Sequence, residues 1–160
     1  MKTILSIAAI FLWLSIYPAS ATELVGWLED VLILPGDLLV KSKIDTGAKT
    51  SSLNCNDCKT VIDNHGQRWV RFSLTDLTGR TMSFEKKVLR MAAIKRHFGE
   101  TQYRPVIELG LCLGGVYKLT EVNLIDRSGL KYQLLIGREF LKQNHVVDPA
   151  KTFISTPTCN

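Results

Sequence analysis

Lys43-Ile44-Asp45-Thr46-Gly47-Ala48-Lys49-Thr50-Ser51-Ser52-Leu53 is the stretch on which the reading of this 160-residue chain turns. Leu38 to Ile44 reads as a strand that delivers Asp45, and Thr46 and Gly47 follow at once. Asp-Thr-Gly alone is ordinary turn chemistry, because all three residues suit tight turns. A carboxylate at a strand end, with a hydroxyl and a glycine behind it, also suits a particular reaction. Two such carboxylates face to face share one proton, so that one holds it while the other activates water.

Working outward, Leu24 to Glu29 and Val31 to Leu34 read as two short strands, and Pro35-Gly36-Asp37 is a turn before Leu38. Downstream, Ser51 to Asn54 is a further short strand, and Val61-Ile62-Asp63 runs into the turn Asn64-His65-Gly66. Val70, Phe72 and Leu74 alternate with Arg71, Ser73 and Thr75, the pattern of a half-buried strand. Thr78-Gly79 turns that strand back into Thr81 to Phe84. Lys86 to His97 fits neither the helical nor the strand period.

Ile107, Leu109, Leu111 and Leu113 alternate again, Gly114-Gly115 is a hairpin turn, and Val116 to Ile125 runs back. Tyr132 to Ile136 is a strand, Arg138 to Gln143 a short helix, and Val146 to Pro149 and Thr152 to Ile154 are two closing strands. Many short strands with glycine turns and one late helix predict an all-β, barrel-like domain. Asp76 to Arg80 and Asn64 to Gln67 are the candidate flaps over its cleft. Trp27, Trp69 and Phe140 are expected in the core.

The beginning of the chain has a different character. Lys2 is followed by a nearly unbroken apolar run from Ile4 to Tyr17, and Ala19-Ser20-Ala21 has small-x-small cleavage spacing. Residues 1–21 are therefore read as a secretory signal, and residues 22–160 as the mature domain of about 139 residues (160 minus 21). In a Gram-negative cell that predicts a periplasmic or secreted protein. The run is too short for a comfortable span, so no stable membrane anchor is expected after cleavage. The net charge of +5 falls to +4 when Lys2 leaves. Lys86-Lys87 and Lys95-Arg96-His97 read as solvated points, not as a nucleic-acid footprint. Attraction to acidic substrates or surfaces is what this charge supports.

Cys55, Cys58, Cys112 and Cys159 permit two disulfides in an oxidising compartment. The CxxC spacing of Cys55 and Cys58 lacks the helix start and βαβ setting of a redox site. A structural bridge is the preferred reading, either local or from one of this pair to Cys112 or Cys159. His65, His97 and His145 stand at no ligand spacing, and neither an HExxH nor a GxxxxGK[ST] loop occurs. Neither a metal nor a cofactor is expected. Asp126 and Asp148 read as turn carboxylates paired with Arg127, Arg104 or Arg138.

A second segment, Leu134-Leu135-Ile136-Gly137-Arg138-Glu139-Phe140-Leu141, is an apolar strand ending at glycine and opening a short helix. Together with Ile44-Asp45-Thr46-Gly47-Ala48 it resembles the retropepsin-like aspartic peptidases. The likeness tightens to a bacterial family labelled ATP-dependent zinc proteases, some of them encoded beside ATP-grasp glutamate ligases. Its elements stand here as Val25-Gly26 to Glu29, Ile44 to Ser51, Arg104-Pro105-Val106, Asp126-Arg127, Gly137-Arg138 and Val147-Asp148-Pro149. The resemblance implies a closed retropepsin-like barrel with one short C-terminal helix. Asp45, Thr46 and Gly47 would be catalytic, and Ala48, Thr50, Ser51, Gly137 and Arg138 would support them. It further implies hydrolysis of a peptide or protein, acidic in keeping with the charge, and an activity favouring acidic pH. With a single Asp-Thr-Gly in the chain, two carboxylates meet only in a two-fold homodimer. The alternatives are a non-catalytic peptide- or cell-wall-binding module on the same barrel, and a zinc hydrolase as the family label has it.

Overall fold

A computed structural model describes residues 22–55, 57–95 and 99–159. The proposed signal segment and cleavage site, and with them His97, lie outside the described residues. The strands are β1 (Glu23–Leu34), β2 (Leu38–Ile44), β3 (Ser51–Asn54), β4 (Lys59–Ile62), β5 (Arg68–Thr75), β6 (Thr81–Lys87), β7 (Arg90–Ile94), β8 (Gln102–Leu113), β9 (Val116–Ile125), β10 (Leu134–Ile136) and β11 (His145–Thr152). One short helix, α1 (Arg138–Leu141), precedes β11.

Six strands close on themselves in the order β1-β2-β10-β3-β9-β8, the ring being completed by Leu32 opposite Cys112 and Leu34 opposite Gly110. Closure removes the free edges of an open sheet. It also explains why β1 is one strand of 12 residues and not the two short ones expected. Its first half pairs with β11, its middle with β2 and its end with β8, so Asp30 lies within a continuous ladder. β11 is likewise one strand, running through Pro149 on an outer edge where a missing N–H costs no ladder bond. The ambiguous stretch after Lys86 is the end of β6 followed by β7, an exposed edge strand on β8. The helix is shorter than its apolar pattern promised, ending at Leu141.

β4, β5 and β6 form a separate antiparallel sheet that lays Val70, Phe72, Leu74 and Phe84 onto the barrel. Phe72 and Phe84 are cross-strand partners and stack at 5.2 Å between centroids. Val70, Phe72 and Leu74 are thus the buried face of β5, as their alternation with Arg71, Ser73 and Thr75 predicts. The Asp76 to Arg80 hairpin is not available as a flap. Leu77 N–H donates to Leu39 O at 3.0 Å, and Arg80 Nη2 donates to Gly36 O at 2.8 Å and Asp37 O at 2.5 Å. These bonds fix the hairpin to the end of β2 remote from Asp45. Of the three expected core aromatics only Phe140 is fully buried; Trp27 is 38% exposed, and Trp69 is half-buried with its indole N–H on Asp63.

The last residues are fastened by a buried carboxylate. Glu29, with no exposed surface, accepts hydrogen bonds from the N–H groups of Gly26, Ile154 and Ser155 and from Ser155 Oγ. Polar oxygens are tolerated in such a place only when they are bonded in this way. Gly26 is required beside it, since a Cβ there would lie 2.4 Å from Lys151 O. Two disulfides complete the fold: Cys55–Cys58 is local, and Cys112–Cys159 ties the C-terminal tail to β8.

Candidate active site

The site arises where two neighbouring parallel strands end together. β2 and β10 run side by side with Ile44 opposite Ile136, so the chain leaves both at the same level. Asp45 N–H donates to Ile136 O at 2.9 Å, which holds the aspartate at the rim of the barrel. The loop then folds back on its own side chain. Asp45 Oδ1 accepts from Gly47 N at 2.9 Å and Ala48 N at 3.2 Å, while Oδ2 has no partner among the described residues. Glycine and alanine let the backbone approach the carboxylate this closely. The result is a half-buried carboxylate with one oxygen fixed and the other open, between exposed Thr46 and Gly47.

The second segment clasps this loop from the other strand end. Arg138 N donates to Ala48 O at 2.9 Å and Glu139 N to Lys49 O at 3.0 Å. The Arg138 guanidinium donates from Nη1 alone to both Thr46 O at 2.9 Å and Gly47 O at 2.7 Å, so one nitrogen holds two successive carbonyls of the loop. Gly137 N donates to Ser51 Oγ at 3.2 Å. Asp45, Thr46, Gly47, Ala48, Ser51, Gly137 and Arg138 therefore form one bonded unit, and Thr50, on the chain between Ala48 and Ser51, is bonded instead to Asn123 at 3.3 Å.

The other carboxylates are engaged elsewhere. Asp126 accepts from Ser128 N, and Asp148 accepts from Ala150 N and pairs with Lys151 at 3.6 Å. Neither makes the arginine pair expected of it. Arg104 instead donates to Gln102 and Asn123, Arg138 to the loop carbonyls, and Arg127 to Tyr132 O at 3.3 Å. Glu139 pairs with Lys142, and no carboxylate among the described residues shares a hydrogen bond with Asp45.

Arg127 is the site residue that sequence reasoning misplaced. Burial pushes its guanidinium down from the usual arginine range and the charge of Asp45 pushes it back up, so the two are within electrostatic reach. Its backbone N–H is fixed by Asn54 Oδ1 at 2.7 Å. Arg127 joins Lys43 and Lys131 in a cavity of about 370 Å³ whose other walls are Trp27, Leu130, Tyr132 and Leu135. A roomier cavity of about 590 Å³ lies over the second sheet, lined by Phe72, Phe84 and polar residues, and holds no residue of the Asp45 loop. The smaller cavity is linked to the site through the electrostatic interaction of Arg127 with Asp45, and a third, of about 390 Å³, holds Lys49 and Thr50 of the loop beside Glu139 and Lys142.

Residues 24–158 match the model of the RimB-like family, described as retropepsin-like aspartic endopeptidase RimB. The chain belongs to this family. A Shewanella pealeana protein named "Probable alpha-L-glutamate ligase" is 32% identical over 117 residues, which are 71% of this chain and 25% of that protein. A Desulfotalea psychrophila protein of the same name is 31% identical over 114 residues, 69% of this chain and 24% of that one. The chain thus spans about a quarter of the length of the curated relatives it matches. The crystal structure of a Legionella pneumophila protein of unknown function (DUF785) is 31% identical with a TM-score of 0.69, covering 83% of this chain and 98% of that one.

The zinc of the zinc-protease family label finds no fitting set of donors among the described residues. All four cysteines are consumed in disulfides, and among the described residues no three His, Cys, Asp or Glu side chains converge. His145 stacks on Phe140 at 5.5 Å with Nε2 against Leu113 O, and burial lowers its pKa.

Proposed function

We propose that this protein is an exported aspartic peptidase that cleaves acidic peptides with a pair of Asp45 carboxylates, one from each subunit of a two-fold homodimer. The observation that carries the reading is the Asp45 loop. It supplies one carboxylate, fixed through Oδ1 and open at Oδ2, on an exposed rim. An isologous interface sets the same residue opposite itself, so one loop per chain becomes a dyad. In that dyad the ionised carboxylate takes a proton from water as the water oxygen attacks the peptide carbonyl carbon. The protonated carboxyl gives its proton to the carbonyl oxygen. The C–N bond then breaks as the leaving nitrogen takes a proton from one carboxyl of the dyad, while a hydroxyl of the tetrahedral intermediate returns its proton to the other carboxylate, which restores the single shared proton.

The cationic cavity beside Asp45 supports an acidic substrate, since Lys43, Arg127 and Lys131 converge there on a partly apolar pocket. The glutamate-ligase names of the relatives agree with glutamate-containing peptides. The Lys2 start, the apolar run from Ile4 to Tyr17 and the small-x-small spacing at Ala19-Ser20-Ala21 support reading residues 1–21 as a leader, and with it action in the periplasm or outside the cell. Digestion of a peptide library with acidic and neutral members tests the proposal. Cleavage of acidic members that is lost in Asp45→Asn, and that chelator leaves intact, is the expected result. Binding without cleavage would indicate the non-catalytic module, and chelator-sensitive cleavage retained in Asp45→Asn would indicate a metal hydrolase.

A further inference from the structure

Asn123 lies on β9 between Val122 and Leu124, both fully enclosed, and is itself 3% exposed. A buried amide in an apolar strand needs partners for both its ends. Its Nδ2 donates to Ser51 O at 2.7 Å and Thr50 Oγ1 at 3.3 Å, and its Oδ1 accepts from Arg104 Nη1 at 3.2 Å. Arg104 is in turn held by Gln102, which accepts from both Nε and Nη2. A guanidinium only donates and a peptide carbonyl only accepts, so the amide can face just one way.

We propose that Asn123 is a positioning residue for the Asp45 loop, carrying the placement of the barrel wall to the segment that ends at Ser51. Ser51 Oγ takes the Gly137 N–H, and Arg138 closes the circuit onto Thr46 and Gly47. The backbone ladder of β3 on β9 begins only at Ser51, opposite Val122, so Asn123 is the side chain that extends the hold of β8 and β9 to Thr50, ahead of that ladder, on a loop also braced from β10 and α1. Without it the Ser51 carbonyl loses its side-chain donor, and the segment from Ala48 to Ser51 can shift against Asp45. A displacement near 1 Å at such a remove costs on the order of a hundredfold in rate.

The inference rests on reading Asp45 as the catalytic carboxylate, and two measurements keep the two claims apart. In Asn123→Leu and Asn123→Asp, kcat should fall about ten- to a hundredfold with KM within about twofold, as for a group acting on the reacting geometry. The aspartate variant presents an acceptor to Ser51 O, so its activity relative to wild type should recover as pH falls and its protonated O–H donates there. Independently of activity, amide exchange at Gly47, Ala48 and Gly137 should accelerate in both variants, while Val31, Ile33 and Leu111 in the barrel keep their protection. Unchanged protection of the loop, or equal loss across the barrel, overturns the proposal, as does a rise in KM with kcat unchanged. If no Asp45-dependent hydrolysis is found, the catalytic reading fails while the exchange measurement still decides the positioning.

Discussion

Gly137→Ala is the perturbation whose cost can be worked most directly from the geometry. A Cβ at this buried position would lie 2.6 Å from Thr50 C, 2.7 Å from Thr50 O and 3.0 Å from Lys49 O. Carbon atoms pack comfortably at about 3.5–4.0 Å, so one segment must retreat by about 1 Å. The obstacle is backbone, not the end of a flexible side chain, and Arg138 N on Ala48 O and Glu139 N on Lys49 O hold that backbone in place. Overpacking of this kind costs about 1–3 kcal/mol. At about 4 °C per kcal/mol for a domain of this size, the melting temperature should fall by about 4–12 °C. Because loop and helix start are displaced together, peptide cleavage should fall about a hundredfold. Thermal unfolding at fixed protein concentration, with turnover on the same preparation, measures both. Gly129→Ala is the control, since nothing lies within 4 Å of a Cβ there. A Gly137→Ala protein that melts within about 1 °C of wild type and turns over normally would refute the close-approach reasoning.

Three further outcomes follow from other contacts. The Thr78 hydroxyl and the N–H groups of Thr78 and Arg80 pull the Asp76 carboxyl down from 3.8 to about 2. Its folded pKa is thus below its unfolded one, so its stabilisation is complete above about 3.8 and is lost as pH falls toward 2. Urea midpoints measured across that window should flatten in Asp76→Asn. His145, lowered from 6.5 chiefly by burial, resists protonation in the folded state, so stability should decline as pH drops below 6.5 and decline less in His145→Gln. Serine at both Cys112 and Cys159, which are 47 residues apart, should cost about 4 kcal/mol on the chain-entropy model. The same change at Cys55 and Cys58, three apart, should cost about 2 kcal/mol or less, and denaturant midpoints should rank the two accordingly.

Much of the barrel was legible because strand burial writes a period of two into the sequence. β2, β3, β9 and the hairpin at Gly114-Gly115 fall where alternation and turn residues put them. What could not be read were consequences of closure. A strand shared among three neighbours need not pause at Asp30, and an edge strand need not pause at Pro149. The Asp45 and Gly137-Arg138 segments were recognisable because both combine a strand end with residues that allow tight backbone approach. Their bonding to each other depends on the parallel pairing of β2 with β10, which no local pattern reveals. Asp126-Arg127 looked like a local pair, yet the turn satisfies Asp126 through Ser128 and leaves Arg127 to donate to Tyr132 O, within electrostatic reach of Asp45. Asn123 carried one sequence signal, a polar residue between Val122 and Leu124 in an apolar strand, and its meaning needed the loop it touches.

The central claim is that two copies of Asp45 make one site, and subunit mixing tests it most directly. Wild type and Asp45→Asn are mixed in varying proportion at constant total protein, allowed to exchange subunits, and assayed on an acidic peptide. If one carboxylate from each subunit is required, activity follows the square of the wild-type fraction, and an equal mixture retains about one-quarter of the undiluted activity. Retention of about one-half at equal mixture, after exchange has been verified, would mean that each chain works alone, and would contradict the account.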